Sequence, residues 1–229
     1  MIPVETTPID LAAEIHRRLL AHYGKPVWRI PLSPLDELIS TILSQNTNDQ
    51  NRDRAFQGLK SRFSTWEDVR KAETQDIVDA IRPAGLANQK GPRIQQVLNE
   101  IHAERGDLDL DFLRVLPRDE VRHWLLNFNG VGPKTAAIVL QFSLDKPAFP
   151  VDTHIYRVTG RLGIRPEKMG VEDAHAYLEA AFHTDAYYAV HLNLIRLGRE
   201  ICHPKKPECP QCPLLGICEF GKALQNQGK

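Results

Sequence analysis

Residues Asn127–Val158 read NFNGVGPKTAAIVLQFSLDKPAFPVDTHIYRV. Gly130-Val131-Gly132-Pro133 stands between two helical patterns, one through Val121, Trp124 and Leu125 and one over Thr135–Leu144. Glycine permits positive φ and a close backbone approach. Pro133 suits the first position of a helix, where its missing N–H would have no partner anyway. The stretch is therefore expected to form two helices joined by a tight hairpin, with Val131 anchoring the turn in the core. The free amides of the second helix, reinforced by its dipole, make an anion site suited to a phosphate. A purely structural helix corner fits the same residues. Thr135–Leu144 is apolar all round, which predicts a central, buried helix.

Outward from the hairpin the chain remains helical. Ile9, Leu11, Ala12, Ile15, Leu19 and Leu20 give one apolar face over Pro8–Tyr23. Ser33 and Pro34 read as an N-cap and first helical residue ahead of Leu35, Leu38, Ile39, Ile42 and Leu43. Helices are also predicted over Asp49–Phe63, capped by Asn48, and over Trp66–Arg70 and Gln75–Arg82. Gly91-Pro92 is expected to lead into a further helix through Ile94, Val97, Leu98 and Ile101, and Pro117 and Asp119 to open the next. The last three are predicted over Asp152–Leu162, Glu172–Phe182 and Ala186–Ile201. No convincing strand pattern occurs, so the fold class is all-α.

The chain has 229 residues, 42% apolar and 25% charged, with 29 basic and 29 acidic side chains. That is ordinary for a soluble globular protein and allows one large domain or two modest ones. The longest apolar run, AAIVLQFSL, is too short to span a bilayer. MIPVETTPID lacks the basic-then-apolar pattern of a secretory signal, so an intracellular protein is expected. Zero net charge argues mildly against a nucleic-acid binder, although backbone amides contact phosphates without adding formal charge.

Two further stretches bear on function. After the apolar helix comes Gln45-Asn46-Thr47-Asn48, either a solvated helix end or a row of amides suited to nucleobase edges. In the loop RPAGLANQKG, Leu86 either packs under its own loop or serves as a wedge into a base stack. All four cysteines, Cys202, Cys209, Cys212 and Cys218, fall in a C-x6-C-x2-C-x5-C loop stiffened by Pro204, Pro207, Pro210 and Pro213. Such clustering in an intracellular protein suggests metal ligation rather than disulfides. Zinc and an iron–sulfur cluster both accept four thiolates.

The segment LNFNGVGPKTAAIVL followed by VDTHIYRV, with LSQNTND and the cysteine spacing, resembles the endonuclease III family of helix-hairpin-helix DNA glycosylases. The resemblance covers nearly the whole chain. It implies a six-helix domain with the hairpin over residues 32–146, a second helical domain from residues 1–31 and 147–229, and a cleft between them. It implies Lys134 as the nucleophile and Asp152 as the carboxylate that stabilises the sugar. Gln45 would fill the gap left by a flipped base and Leu86 would be the wedge. Gly130, Val131 and Gly132 would clamp a phosphate, and His154 would contact the lesion or backbone, or be a helix-start histidine satisfied by its neighbours. The four cysteines would hold a [4Fe–4S] cluster. Phe128-Asn129 replaces a common Leu-Pro, and Pro133 a frequent arginine.

The implied function is removal of oxidised pyrimidines from double-stranded DNA, followed by lyase cleavage at the abasic site, by a cytoplasmic, nucleoid-associated monomer. A monofunctional mismatch-adenine glycosylase and a catalytically inactive damage binder are the rivals. Lys134 and the short tail after the cysteines oppose the former.

Overall fold

The computed structural model describes residues 7–227; residues 1–6, part of the stretch searched for a signal, lie outside it. Twelve α-helices and several 3₁₀ turns occur among the described residues, and no strand. Contacts divide the chain into two units, Ile30–Lys146, and Met1–Arg29 with Pro147–Lys229.

The first eight helices in chain order are α1 (Pro8–Tyr23), α2 (Pro34–Ser44), α3 (Asp49–Arg62), α4 (Trp66–Lys71), α5 (Thr74–Ala80), α6 (Ala87–Arg105), α7 (Arg118–Leu126) and α8 (Pro133–Phe142). Helices α2–α8 belong to the unit 30–146. The resemblance implied six helices, whereas the patterns along the chain gave seven; α4 and α5 are separate as those patterns predicted, with Ala72 and Glu73 extended between them. The central element is α2, whose Leu38, Ile39, Ile42 and Leu43 are fully buried and which packs on α3, α6 and α8. Its start is fixed as expected: Ser33 Oγ accepts the Asp36 amide at 3.2 Å, with Pro34 at the first turn. Asn48 caps α3 in the same way, through the Asn51 amide at 2.9 Å.

One boundary departs from expectation. Helix α6 begins at Ala87, not after Gly91-Pro92, and carries Pro92 inside it. An interior proline costs about 3 kcal/mol. Ile94, Val97, Leu98 and Ile101 are each fully buried on this helix, and burial stabilises by about 1.5–3 kcal/mol per side chain, so the helix persists through the proline.

The other unit is built from α1, α9 (Thr153–Leu162), α10 (Val171–Ala181), α11 (Tyr187–Glu200) and α12 (Glu219–Gln227). Ala12, Ile15 and Leu19 of α1 share a core with Ile155 and Val158 of α9, Leu194 and Leu197 of α11, and Leu214 and Cys218 of the cysteine loop. A helix before residue 25 and a loop after residue 200 thus bury one another's apolar faces. Phe149 stacks on Phe182 with centroids 5.2 Å apart. Helix α12 was not anticipated, its sequence EFGKALQNQ offering little apolar pattern.

At Gly58 in α3 a Cβ would overlap the Ala80 carbonyl oxygen. Gly58→Ala gains about 1 kcal/mol of helix propensity, but crowding rigid backbone costs about 1–3 kcal/mol. Net destabilisation of about 1 kcal/mol is expected, seen as a lower denaturation midpoint at unchanged slope in urea; an unchanged or raised midpoint would show that α3 and α5 yield freely.

Candidate functional site

Between α7 and α8 the chain turns through Asn127–Gly132. Val131 donates to the Phe128 carbonyl at 3.0 Å and is buried. Gly130 is in the left-handed region, at φ 84°. Gly132 is extended (φ −95°, ψ 179°), so positive φ is not what it supplies. A Cβ there would meet nothing, which leaves its face open to a ligand. No side chain caps α8. Pro133 lacks an N–H, so the amides of Lys134 and Thr135 are the orphan donors of this helix start. Lys134 is partly exposed beside them.

Within the same unit, the hairpin meets the polar segment after α2. Gln45 Nε2 donates to the Gly130 carbonyl at 3.3 Å, and Arg93 Nη1 of α6 donates to Gln45 Oε1 at 3.4 Å. Arg93 lies so close over Gly130 that any Cβ would collide with its side chain. Asn46 and Leu86 are both non-glycine residues at positive φ, 53° and 51°. Leu86 is 46% exposed. Backbone strain that leaves a leucine about half exposed is of the kind that collects at binding sites.

Sequence patterns gave no sign of Lys90, which is only 3% exposed. Its ammonium donates to the carbonyls of Leu43 and Ala84, both at 2.8 Å. Burial lowers its pKa from the ordinary lysine value. Its position four residues after Leu86 was the one local clue, and a lone lysine there usually reads as solvated.

In the other unit, Asp152 caps α9: its Oδ1 accepts the Ile155 amide at 2.8 Å, which leaves Oδ2 outside that bond. The extended segment before it is held by side chains. Glu179 accepts the Phe149 amide at 3.0 Å, and the Nδ1 atoms of His175 and His191 lie 3.3 Å from the Val151 amide and 3.0 Å from the Pro150 carbonyl. His154 is engaged by its neighbours: Nδ1 lies 3.1 Å from Arg157 Nη2, and its Cβ packs on Gly198. Arg157 also donates to the Cys202 carbonyl at 3.0 Å.

Cys202, Cys209, Cys212 and Cys218 line one cavity with Arg161, Ile201, Pro207, Leu215, Phe220 and Gly221. Arg161 Nη1 lies 3.2 Å from Cys202 Sγ, and the Gly221 amide 3.4 Å from Cys218 Sγ. Burial pushes the Cys212 thiol up to about 11 and raises that of Cys218 as well. Among the described residues no three cysteine, histidine or acidic side chains converge tightly enough to hold one metal ion. No described helix is long and apolar enough to cross a membrane.

Helices flanking a glycine hairpin with an uncapped helix start, and an aspartate capping the helix that follows, define a class. The chain belongs to the HhH-GPD superfamily of base excision DNA repair proteins, whose sequence model matches residues 39–183, and it is a DNA glycosylase of endonuclease III type. It is 33% identical over 211 residues to endonuclease III of Thermotoga maritima, covering 92% of each chain. It is also similar to the solved structure of a non-covalent endonuclease III–DNA complex, with a TM-score of 0.81 at 26% identity over 96% of this chain and 99% of that one. A trapped endonuclease III–DNA covalent intermediate gives a TM-score of 0.80 at 26% identity, over 93% and 96% of the two chains.

Leu86→Gly tests the strain. Left-handed backbone costs a Cβ-bearing residue about 1–2 kcal/mol, while glycine's extra unfolded-state freedom returns about 0.5–1 kcal/mol. Stability by chemical denaturation is expected to be unchanged or up to about 1.5 kcal/mol higher. A loss of about 2 kcal/mol or more, as for a core leucine, would mean that Leu86 is there for packing.

Proposed function

We propose that this glycosylase removes oxidised pyrimidines from double-stranded DNA and then cleaves the strand at the abasic site through a Schiff base on Lys134. The observation that carries the proposal is the setting of Lys134, second residue of an uncapped helix beside a glycine with open space around it. The orphan amides of α8 grip a backbone phosphate. The unprotonated amine of Lys134 attacks C1′ of the sugar. The N-glycosidic bond breaks, and its electron pair leaves with the base, which takes up a proton. Asp152 stabilises the positive charge that develops on the sugar. Ring opening with protonation of O4′ gives the Schiff base. Loss of a C2′ proton then expels the 3′ phosphate, and water releases the lysine. The covalent intermediate trapped for a similar endonuclease III supports this course. Leu86 is the wedge and Gln45 fills the space of the extruded base.

The four cysteines hold a [4Fe–4S] cluster, which supplies structure and DNA docking rather than bond cleavage. The four cysteines line one cavity, and their C-x6-C-x2-C-x5-C spacing, which matches the cluster loop of the endonuclease III family, supports the cluster over zinc. The protein works as a monomer on DNA inside the cell.

Borohydride should trap wild type on an abasic duplex and trap nothing with Lys134→Ala. Asp152→Asn should lower base release about 100-fold or more yet leave stability within a few tenths of a kcal/mol, since asparagine caps as well as aspartate and alanine loses about 1 kcal/mol. Undiminished trapping by Lys134→Ala would sink the mechanism.

Purified protein should be coloured and carry about four irons per chain, and Cys212→Ser should lower both iron content and melting temperature. One zinc per chain and no visible absorbance would overturn the cofactor assignment.

A further inference from the structure

We propose that Lys90 is a positioning residue that locks the Gln45–Asn46 turn and the Leu86 loop at one spacing, so that both enter a DNA duplex as a preformed pair. The inference rests on the reading of those two loops as the parts that enter DNA. Its ammonium joins the carbonyl of Leu43, two residues before Gln45, to that of Ala84, two residues before Leu86. Its own backbone amide donates to the Leu86 carbonyl at 2.9 Å. That backbone bond is the ordinary first turn of α6; what lysine adds is the side-chain tie from the chain just before Leu86 to the end of α2.

The choice of lysine is informative. A buried ammonium without a carboxylate partner is an expensive way to fill space. Here it sits at the C-terminal end of α2, where the helix dipole favours a cation. Among the described residues, no backbone amide of the surrounding turns donates to the Leu43 or Ala84 carbonyl. A water could bridge them, but it would leave the spacing softer. The strained conformations of Asn46 and Leu86 persist only if their surroundings hold them there. Arg93, three residues further along α6, reaches Gln45 and covers Gly130. The first turns of α6 therefore carry the fixings for the α2 end, the Leu86 loop and the hairpin together.

The test uses Lys90→Met, Leu86→Ala and the double variant. 2-Aminopurine placed opposite an abasic-site analogue in duplex DNA reports loop insertion by its fluorescence rise, with no catalysis needed. Lys90→Met should weaken that rise and slow single-turnover excision of an oxidised pyrimidine about 10- to 100-fold. Trapping on a single-stranded abasic oligonucleotide, which needs no wedge, should change by no more than about 2-fold. In the Leu86→Ala background the added effect of Lys90→Met should also shrink to about 2-fold, since contacts acting through one another are not additive. Equal losses on single and double strands, full additivity, or a fluorescence rise like wild type would each overturn the proposal. Should Lys90→Met fail to fold, Lys90→Gln, which keeps N–H donors, is put through the same comparison. If wild type raises the fluorescence but traps no adduct, the Schiff-base mechanism fails and the positioning role stands.

Discussion

Helix ends govern this chain. Each short helix leaves four amides at its start and four carbonyls at its end without partners in the helix, and the twelve α-helices among the described residues multiply that demand. Side chains cap the starts of five of the described α-helices, through Thr7, Ser33, Asn48, Thr65 and Asp152. The ends that bear on the proposed chemistry differ in how they are closed. Helix α8 has no side-chain cap. The end of α2 is closed by a lysine from α6. The start of α9 is closed by Asp152, which is also the proposed catalytic carboxylate. The same unsatisfied groups that a core would have to bury are, at an exposed turn, the groups that recognise phosphate.

Rigidity around these ends comes from contacts within each unit. Leu38, Ile39, Ile42 and Leu43 fix α2 in the core of its unit, and that fixes where Gln45 emerges. Phe149 and Val151, buried in the other unit, hold the segment that delivers Asp152. Here the backbone has no sheet partner, so Glu179, His175 and His191 take up amides and carbonyls that a neighbouring strand would otherwise satisfy. Histidine suits the task because its ring serves as donor or acceptor according to tautomer.

What could be read from sequence was what depends on neighbours along the chain. The hairpin, the caps at Ser33 and Asn48 and the spacing of the cysteines are all local patterns. So are the apolar stripes that set α1, α2 and α9. What escaped depends on the third dimension. Lys90 is indistinguishable from a surface lysine until α2 and the Leu86 loop are seen to converge on it. The early start of α6 was hidden because Gly91 and Pro92 both signal a break, whereas the burial that overrides them lies further along the helix. The hairpin glycines offered either positive φ or a close approach, and only the structure divides the two: Gly130 takes the positive φ, while Gly132 is extended with open space around it.

The balance of charge is consistent with this use of helix ends. Many arginines are committed to acids three or four residues away on the same helix, among them Arg17 and Arg18 with Glu14, Arg70 with Glu67, and Arg196 with Glu200. Such exposed pairs add little stability, but they neutralise charge that a phosphate backbone would otherwise feel. Lysine and arginine contacts release counterions and weaken steeply with salt. Backbone amides carry no net charge, and their grip depends on geometry, on a helix start held still beneath the ligand. For a protein of zero net charge, the proposed phosphate contact would lean on the amides around Gly130–Lys134, where Gln45 bonds the Gly130 carbonyl and Arg93 bonds Gln45.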